Sequence, residues 1–306
     1  MVLEGNASAS GRALTVGVCL PALDEEATIG PICEAIRRDL MPHLVDELLV
    51  IDSGSRDGTA AVASAAGAAV HHVRDIAPHV ERGGKGEALW KSLAVARADI
   101  VVWVDSDIHN FDSGFVSRLV EPLLDSPELV MTKGYYRRPL AIGDGTYMEQ
   151  GGGRVTELAL RPLLNLLVPE LSGIIQPLSG EYAIRSEAAR SLPFFSGYGV
   201  DIGLLVDVTA RFGSSAIRQV DLGTRVHENR SLRSLGRTSF EVLAAFLTRL
   251  AKEGRLTLHQ PLGTVLRQFD AAHRSVSVDG RITEFPAWRS LDSEIEELEA
   301  LFLARP

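Results

Sequence analysis

The stretch VVWVDSDIHN (residues 101–110) sets an apolar run with the pattern of a buried strand directly before two aspartates one residue apart and a histidine. Taken with the residues before it, the strand is DIVVWVD (99–105), apolar toward both faces, as strands of a parallel sheet covered by helices on each side are. Working outward, strand-like and helix-like segments alternate. Upstream lie ALTVGVCL (13–20), the turn PALDEE (21–26), a helix with Ile29, Ile32, Cys33, Ile36 and Leu40 at helical spacing, and the strand VDELLVID (45–52). Next come SGSRDGTAAVASAAG (53–67), a turn and small-residue helix capped by Asp57 or Thr59 and closed by Gly67, then the strand AAVHHV (68–73) and the helix GEALWKSLAVAR (86–97). This order predicts an α/β fold with a parallel, doubly wound sheet.

After residue 110 the rhythm loosens. A helix near 113–124, the strand ELVMTKGYYRR (128–138), the loop AIGDGTYMEQGGG (141–153), an amphipathic helix over 154–167, the strand GEYAIR (180–185) and a helix over 201–212 are expected. Residues 260–290 show weak periodicity, and LDSEIEELEALFLA (291–304) closes as a helix with Ile295, Leu298 and Phe302 on one side.

With 306 residues, 45% hydrophobic, 23% charged and a formal net charge of −9, the chain is long enough to bury the core of one or two globular domains. It has no apolar run of about 18 residues, so no membrane span is expected. The first dozen residues lack the basic and apolar segments of a secretory signal, so a cytoplasmic protein is expected. The acidic balance argues against nucleic acid as a partner while leaving room for a small anion in a local basic pocket. Cys19 and Cys33 have no ligand spacing and are expected in the core.

Ligands of an open parallel sheet bind outside the carboxyl ends of its strands, which is where Asp105 and Asp107 fall. Alternate strand residues share a side, so the two carboxylates point the same way and offer hard oxygen ligands to Mg²⁺ or Mn²⁺, which can neutralise a pyrophosphate. Two solvated turn aspartates are the bland alternative. Against it stand turn motifs at the neighbouring strand ends, PALDEE, DSGSRDGT (52–59) and RGGKGEAL (82–89). Asp52 and Ser53 can reach a base or ribose, and Lys85, beside glycines at a helix start, can meet a phosphate. The P-loop pattern fails, because Gly86 follows Lys85, and no GxGxxG follows the first strand. His71, His72, Trp90, Leu93 and Trp103 are expected as strand or core residues rather than ligands or sugar-stacking groups.

The motifs PALDEE, DSGSRDGT, GKGEALWKSL, VDSD, YYRRPL, GGGRVTEL, RPLL, QPLSGEYA, GYGVDIGLLVD and HENR follow one another in this chain. In that order and spacing, over roughly residues 14–250, the sequence resembles the nucleotide-sugar-dependent GT-A glycosyltransferases, and most of all the retaining glucosyl-3-phosphoglycerate synthase and mannosyl-3-phosphoglycerate synthase family. The resemblance implies a GT-A fold: a Rossmann-like, mostly parallel sheet with helices on both faces and a smaller acceptor-binding C-terminal part. It also implies a divalent metal (Mg²⁺ or Mn²⁺), an NDP-sugar donor, 3-phosphoglycerate as acceptor, and a homodimer, for which the apolar side of 291–304 offers a surface.

The same resemblance implies roles residue by residue. Asp107 and His227 would hold the metal, with Asp105 reaching the donor ribose or the metal. Pro21, Ala22, Leu23, Glu25, Ser53, Lys85, Asp105 and Ser106 would bind the donor. Gly153, Arg154, Val155, Thr156 and Asn229 would bind the acceptor, whose phosphate and carboxylate suit the backbone N–H groups and arginine fork that GGGRVT provides. Lys85 and Asp201 would act in catalysis. Residues 1–12 would be a disordered N-terminus, 13–110 the nucleotide-sugar half, 111–255 the acceptor and catalytic half, and 256–306 an extension.

Two positions depart from the family pattern, Asp24 in place of Asn and Asp201 in place of Glu. The second draws a carboxylate back from the reacting sugar by roughly an ångström and leaves the donor open: GDP-mannose, GDP-glucose or UDP-glucose. Retention would follow front-face attack by the acceptor's 2-hydroxyl, or a covalent intermediate on Asp201. Rival readings are another GT-A transferase with a different acceptor, a nucleotidyltransferase, and a catalytically silent sugar-nucleotide binder. The nucleotidyltransferase would want a glycine-rich Arg-Leu loop where PALDEE stands, and the silent binder would be expected to have lost the DSD or the HENR histidine.

Overall fold

A computed structural model describes residues 13–41, 43–78, 80, 83–143, 146–148, 152–225, 231–270 and 272–291. The expected N-terminal tail, His227, Asn229 and the body of the 291–304 helix lie outside the described residues, so the homodimer surface does too.

The first half alternates as expected: β1 (Val16–Ala22), α1 (Glu26–Asp39), β2 (Glu47–Asp52), α2 (Thr59–Ala65), β3 (Ala69–His72), α3 (Lys85–Val95), β4 (Ile100–Trp103) and α4 (Gly114–Asp125). β5 (Met131–Arg137), the β6–β7 hairpin (Leu140–Gly143, Thr146–Met148), α5 (Arg161–Leu167), β8 (Tyr182–Arg185), α6 (Ser186–Arg190) and β9 (Phe194–Phe195) follow. The rest is α7 (Gly199–Phe212), β10 (Ile217–Thr224), α8 (Leu232–Lys252), the antiparallel pair β11 (Val265–Phe269) and β12 (Ser275–Asp279), and β13 (Glu284–Phe285).

The main sheet has seven strands in the order β10-β5-β8-β4-β1-β2-β3. β1 to β4 pair in parallel, as do β5 and β10, but β8 runs antiparallel to both β4 and β5. The sheet is therefore mostly parallel, as expected, and its first-half strands are wholly so. One reversed strand splices two parallel blocks and brings the 180–182 loop beside the end of β4.

Strand alternation explains the layering. Val16, Val18 and Leu20 of β1 and Ile100 and Val102 of β4 face α1, α2 and α4, packing on Ile29, Ile32, Ile36, Ala63, Phe115 and Leu119. Cys19, Val101 and Trp103 face the other way, onto Leu89, Trp90 and Leu93 of α3 and Val200 and Leu204 of α7. Both cysteines, Trp90, Leu93 and Trp103 are core residues, as read from the sequence. A third apolar layer joins Leu160 and Leu164 to Ile202, Leu205, Val242, Ala245 and Phe246 of α7 and α8.

The helix α8 is absent from the sequence-based expectations, although its signal is present: Val242, Ala245, Phe246 and Leu250 recur at helical spacing and are buried, behind Ser231, whose hydroxyl accepts the Ser234 amide at 3.2 Å. The 154–167 helix is interrupted by a π-helical turn at Thr156–Leu160, an insertion common at functional sites. Among the described residues, no helix is long and apolar enough to cross a membrane.

Candidate active site

Two adjoining cavities open at the carboxyl end of the β1–β2–β4 block. The larger, about 560 Å³, is bordered by Pro21, Ala22, Leu23, Glu25, Ser53, Lys85, Asp105 and Ser106, the whole predicted donor set, together with Asp107, Gly197, Tyr198, Arg237 and Arg281. The smaller, about 140 Å³, is bordered by Gly153, Arg154, Val155, Thr156 and Asp201, together with Arg138, Arg225 and Leu178. Lys85, Asp105, Asp107, Tyr198 and Thr238 border both, so the chamber is continuous at the DSD carboxylates.

Local hydrogen bonds place these groups. The PALDEE and DSGSRDGT loops are stitched together: the Glu25 amide donates to Thr59 Oγ1 at 2.8 Å, and the Arg56 amide to Asp24 Oδ1 at 2.7 Å. Asp24 has φ +57°, a left-handed conformation that Asn and Asp tolerate best, which accounts for Asp standing where the family pattern has Asn. Asp52 is corrected as a donor contact. Its carboxylate does not border the cavity, because it is spent on the Ser55 amide at 3.0 Å and hydroxyl at 2.5 Å and on His72 Nδ1 at 2.8 Å. Ser106 Oγ donates to the Pro21 carbonyl at 2.7 Å, tying the DSD turn to the end of β1.

Beneath the chamber lies a network of buried charges. Asp105 Oδ1 is 2.7 Å from Lys85 Nζ, and its Oδ2 is 3.1 Å from Arg225 Nη1. Arg225 also bonds Glu181 at 2.5 Å, Tyr136 Oη at 2.8 Å and Asp107 Oδ1. Both Asp201 oxygens lie 3.5 Å from Lys85 Nζ. A Cβ at position 180 would overlap the Asp105 carboxylate, so the glycine of QPLSGEYA is what admits it.

Burial opposes these charges; at Lys85, Asp105 and Arg225 the pairing outweighs it, whereas at Glu181 burial prevails and raises the carboxyl. Lys85 is held above the ordinary lysine range by Asp105 and then Asp201, and Asp105 is held well below the carboxylate range by Lys85 and Arg225. Lys133, whose Nζ donates to the Ser179 carbonyl at 2.8 Å and sits 4.1 Å from the Tyr182 ring centre, is brought down to about 8 by burial. Burial pushes the Tyr136 phenol up to about 12.

Lys85 is the first residue of α3, but the helix start is less open to an anion than the sequence suggests. The Gly83 amide donates to Glu87 and the Gly86 amide to the Gly197 carbonyl at 3.1 Å, so the Lys85 ammonium itself is the group presented to a ligand. Among the described residues, a divalent ion would find a hard oxygen ligand of the right kind in Asp107, one of whose oxygens is held by Arg225. Asp107 has a side chain 32% exposed where the two cavities meet, whereas Asp105 is engaged on both oxygens by Lys85 and Arg225. The third expected ligand, His227, and the acceptor residue Asn229 lie outside the described residues. Arg225, Glu181, Arg138 and Tyr198 escaped the sequence reading, though Arg138, Glu181 and Tyr198 fall inside YYRRPL, QPLSGEYA and GYGVDIG. A lone arginine at a strand end, like Arg225, has neither spacing nor periodicity to mark it.

Such a sheet and such a chamber define a glycosyltransferase, and residues 17–166 match glycosyl transferase family 2. The chain is 53% identical over 251 residues to the glucosyl-3-phosphoglycerate synthase of Mycolicibacterium paratuberculosis, covering 81% of this chain and 75% of that one. It is 49% identical over 252 residues to that of Petrotoga mobilis, covering 81% and 77%. The crystal structure of glucosyl-3-phosphoglycerate synthase from Mycobacterium tuberculosis in complex with Mn²⁺, UDP-glucose and phosphoglyceric acid superposes with a TM-score of 0.82 at 44% identity, covering 93% of this chain and 94% of that chain. The chain belongs to the glucosyl-3-phosphoglycerate synthase family.

Proposed function

We propose that the protein transfers glucose from UDP-glucose to the 2-hydroxyl of 3-phosphoglycerate, with retention at the anomeric carbon. The observation that carries this reading is the continuity of the two cavities at Lys85, Asp105 and Asp107, with the predicted donor residues around one and the predicted acceptor residues around the other. Relatives support the substrates: the Mycobacterium tuberculosis enzyme is solved with UDP-glucose and phosphoglyceric acid, and with Mn²⁺ or Mg²⁺. On this reading residues 13–110 form the nucleotide-sugar half and 111–255 the acceptor half.

Asp107 with His227 would hold Mg²⁺ or Mn²⁺, which supplies positive charge to the diphosphate. Lys85 gives its ammonium to the same leaving group as the glycosidic C–O bond breaks. Arg154, the 153–156 backbone and Asn229 orient the acceptor so that its 2-hydroxyl oxygen bonds to the anomeric carbon from the face the diphosphate leaves. The hydroxyl proton passes to a leaving phosphate oxygen. Asp201, held by Lys85, accepts hydrogen bonds from the sugar or the attacking hydroxyl. A carboxylate already paired with an ammonium is a poor nucleophile, which favours this front-face course over a covalent intermediate. GDP-mannose and GDP-glucose are the further donors that the shortened Asp201 would admit. A donor and acceptor screen with NMR of the product reports sugar, linkage and anomeric configuration together; an inverted product or no product with phosphoglycerate would refute the proposal.

A further inference from the structure

Arg138, one residue beyond β5, borders the smaller cavity together with Gly152, Gly153 and Arg154. Its guanidinium stacks 4.7 Å above the Tyr136 ring, and its Nη2 donates to the Tyr136 hydroxyl. Its Nε is buried with no hydrogen-bond partner among the described residues. The cations on either side of it are matched by carboxylates, Lys85 by Asp105 and Asp201, and Arg225 by Asp105, Asp107 and Glu181. Arg138 forms no ion pair with a carboxylate among the described residues. Arg225 Nη1 moreover reaches the same Tyr136 oxygen at 2.8 Å, so two guanidinium groups converge on one phenol. A Cβ at position 152 would overlap Arg138, so the glycine run brings the acceptor loop directly against this side chain.

A buried cationic N–H that nothing accepts is costly, and like charges so close add to the cost. An anion entering the cavity removes both penalties. We infer that Arg138 is a specificity-determining residue that binds the carboxylate of phosphoglycerate while Arg154 takes the phosphate, an inference that rests on the acceptor proposed above. The division follows from chemistry. The first-turn amides beside Arg154 suit a phosphate, and the N–H edge of a guanidinium held flat on Tyr136 suits a planar carboxylate. Anchoring both anionic ends of the three-carbon acceptor fixes the carbon between them, which bears the attacking hydroxyl.

The test compares phosphoglycerate with glycerol 3-phosphate, which lacks the carboxylate, as acceptors for wild type, Arg138→Gln and Arg138→Lys. The expected result is a fall of about tenfold or more in the ratio of kcat/KM for phosphoglycerate over glycerol 3-phosphate, expressed mainly in the phosphoglycerate KM, with Lys intermediate. UDP titration by calorimetry checks that the donor half is intact, and should Arg138→Gln not fold, the ratio of Arg138→Lys decides. An unchanged ratio, or an equal loss with both acceptors, would overturn the inference and leave the proposed function standing. No turnover of phosphoglycerate by the wild type would overturn the proposed function and the inference together.

Discussion

The Lys85 ammonium stands 2.7 Å from Asp105 Oδ1, bridging the first residue of α3 and the end of β4. One cation thus neutralises the first DSD carboxylate, meets Asp201 and faces both cavities. Replacing it with methionine keeps the stem and removes the charge, leaving buried Asp201 without its ammonium and Asp105 with Arg225 alone. Lys85→Met is expected to lower kcat/KM by about 10² or more, as loss of a transition-state electrostatic group does, and to lower Tm. Steady-state kinetics within threefold of wild type would exclude Lys85 from the chemistry.

Metal dependence is expected to centre on Asp107, the more exposed of the two DSD carboxylates that border the chamber. Asp107→Asn keeps the side chain's shape but removes its negative charge, leaving a neutral amide oxygen as a much weaker ligand. Turnover should fall by about 10² or more, and Mn²⁺ affinity, followed by electron paramagnetic resonance with UDP present, should weaken in parallel. Full turnover in excess EDTA would contradict this.

Strand and helix periodicity made the β1–β4 half legible in the sequence, because its inner strands β1, β2 and β4 are covered on both faces and its helices pack one face. The reversal of β8 was not legible: GEYAIR is as apolar as a parallel strand, and its direction is decided by where the chain returns after α5, a long-range matter. The residues expected at the donor and acceptor were picked out by linked motifs, and those described border the two cavities. Arg225 and Glu181 act through pairing across 44 positions of sequence, which no local pattern encodes.

Asp201 lies in the first turn of α7, 5% exposed, with both oxygens toward Lys85. Glucose and mannose differ in the orientation of one hydroxyl, and a single hydrogen bond to a hydroxyl discriminates by about 1–3 kcal/mol. Asp201→Glu is therefore expected to shift the kcat/KM ratio of UDP-glucose to GDP-mannose by roughly tens of fold, and Asp201→Ala to lose most activity. Unaltered donor preference in the Glu variant would remove Asp201 from sugar selection.

Asp207, nearly two turns further along α7, pairs with Arg249 Nε at 2.9 Å, and burial pushes its carboxyl up to about 7. In the unfolded chain it titrates near 4, so between about pH 4 and 7 the folded state binds more protons than the unfolded one. Its contribution is fully present below that range and is lost as pH rises through 7. The Tm of wild type relative to Asp207→Asn is expected to decline from pH 5 to pH 8; a constant difference would place the carboxyl's titration elsewhere.

The last prediction concerns how Lys85 is held. Trp90 of α3 is sandwiched between Phe285 and Trp288, at ring-centre distances of 4.9 and 4.4 Å, and the two indoles exchange bonds with backbone carbonyls: Trp90 Nε1 to Pro286 at 2.8 Å, Trp288 Nε1 to Trp90 at 2.6 Å. Just upstream, the Ser196 amide donates to the Thr283 carbonyl at 2.7 Å, and Gly197 in turn accepts from Gly86, next to Lys85. Residues 283–288 therefore grip α3 both along its body and at its start. Trp288→Ala should cost about 3–5 kcal/mol of stability, as truncating a buried tryptophan does, and shift the denaturant midpoint accordingly. Trp288→Phe, which keeps a stacked ring but drops the indole N–H, should lose less. Because the grip ends on the glycines flanking Lys85 and not on the acceptor loop, kcat should fall in Trp288→Ala below its melting range while the phosphoglycerate KM stays within about twofold. A variant with normal kcat, or one whose acceptor KM rose instead, would show that the C-terminal segment does not act on the lysine.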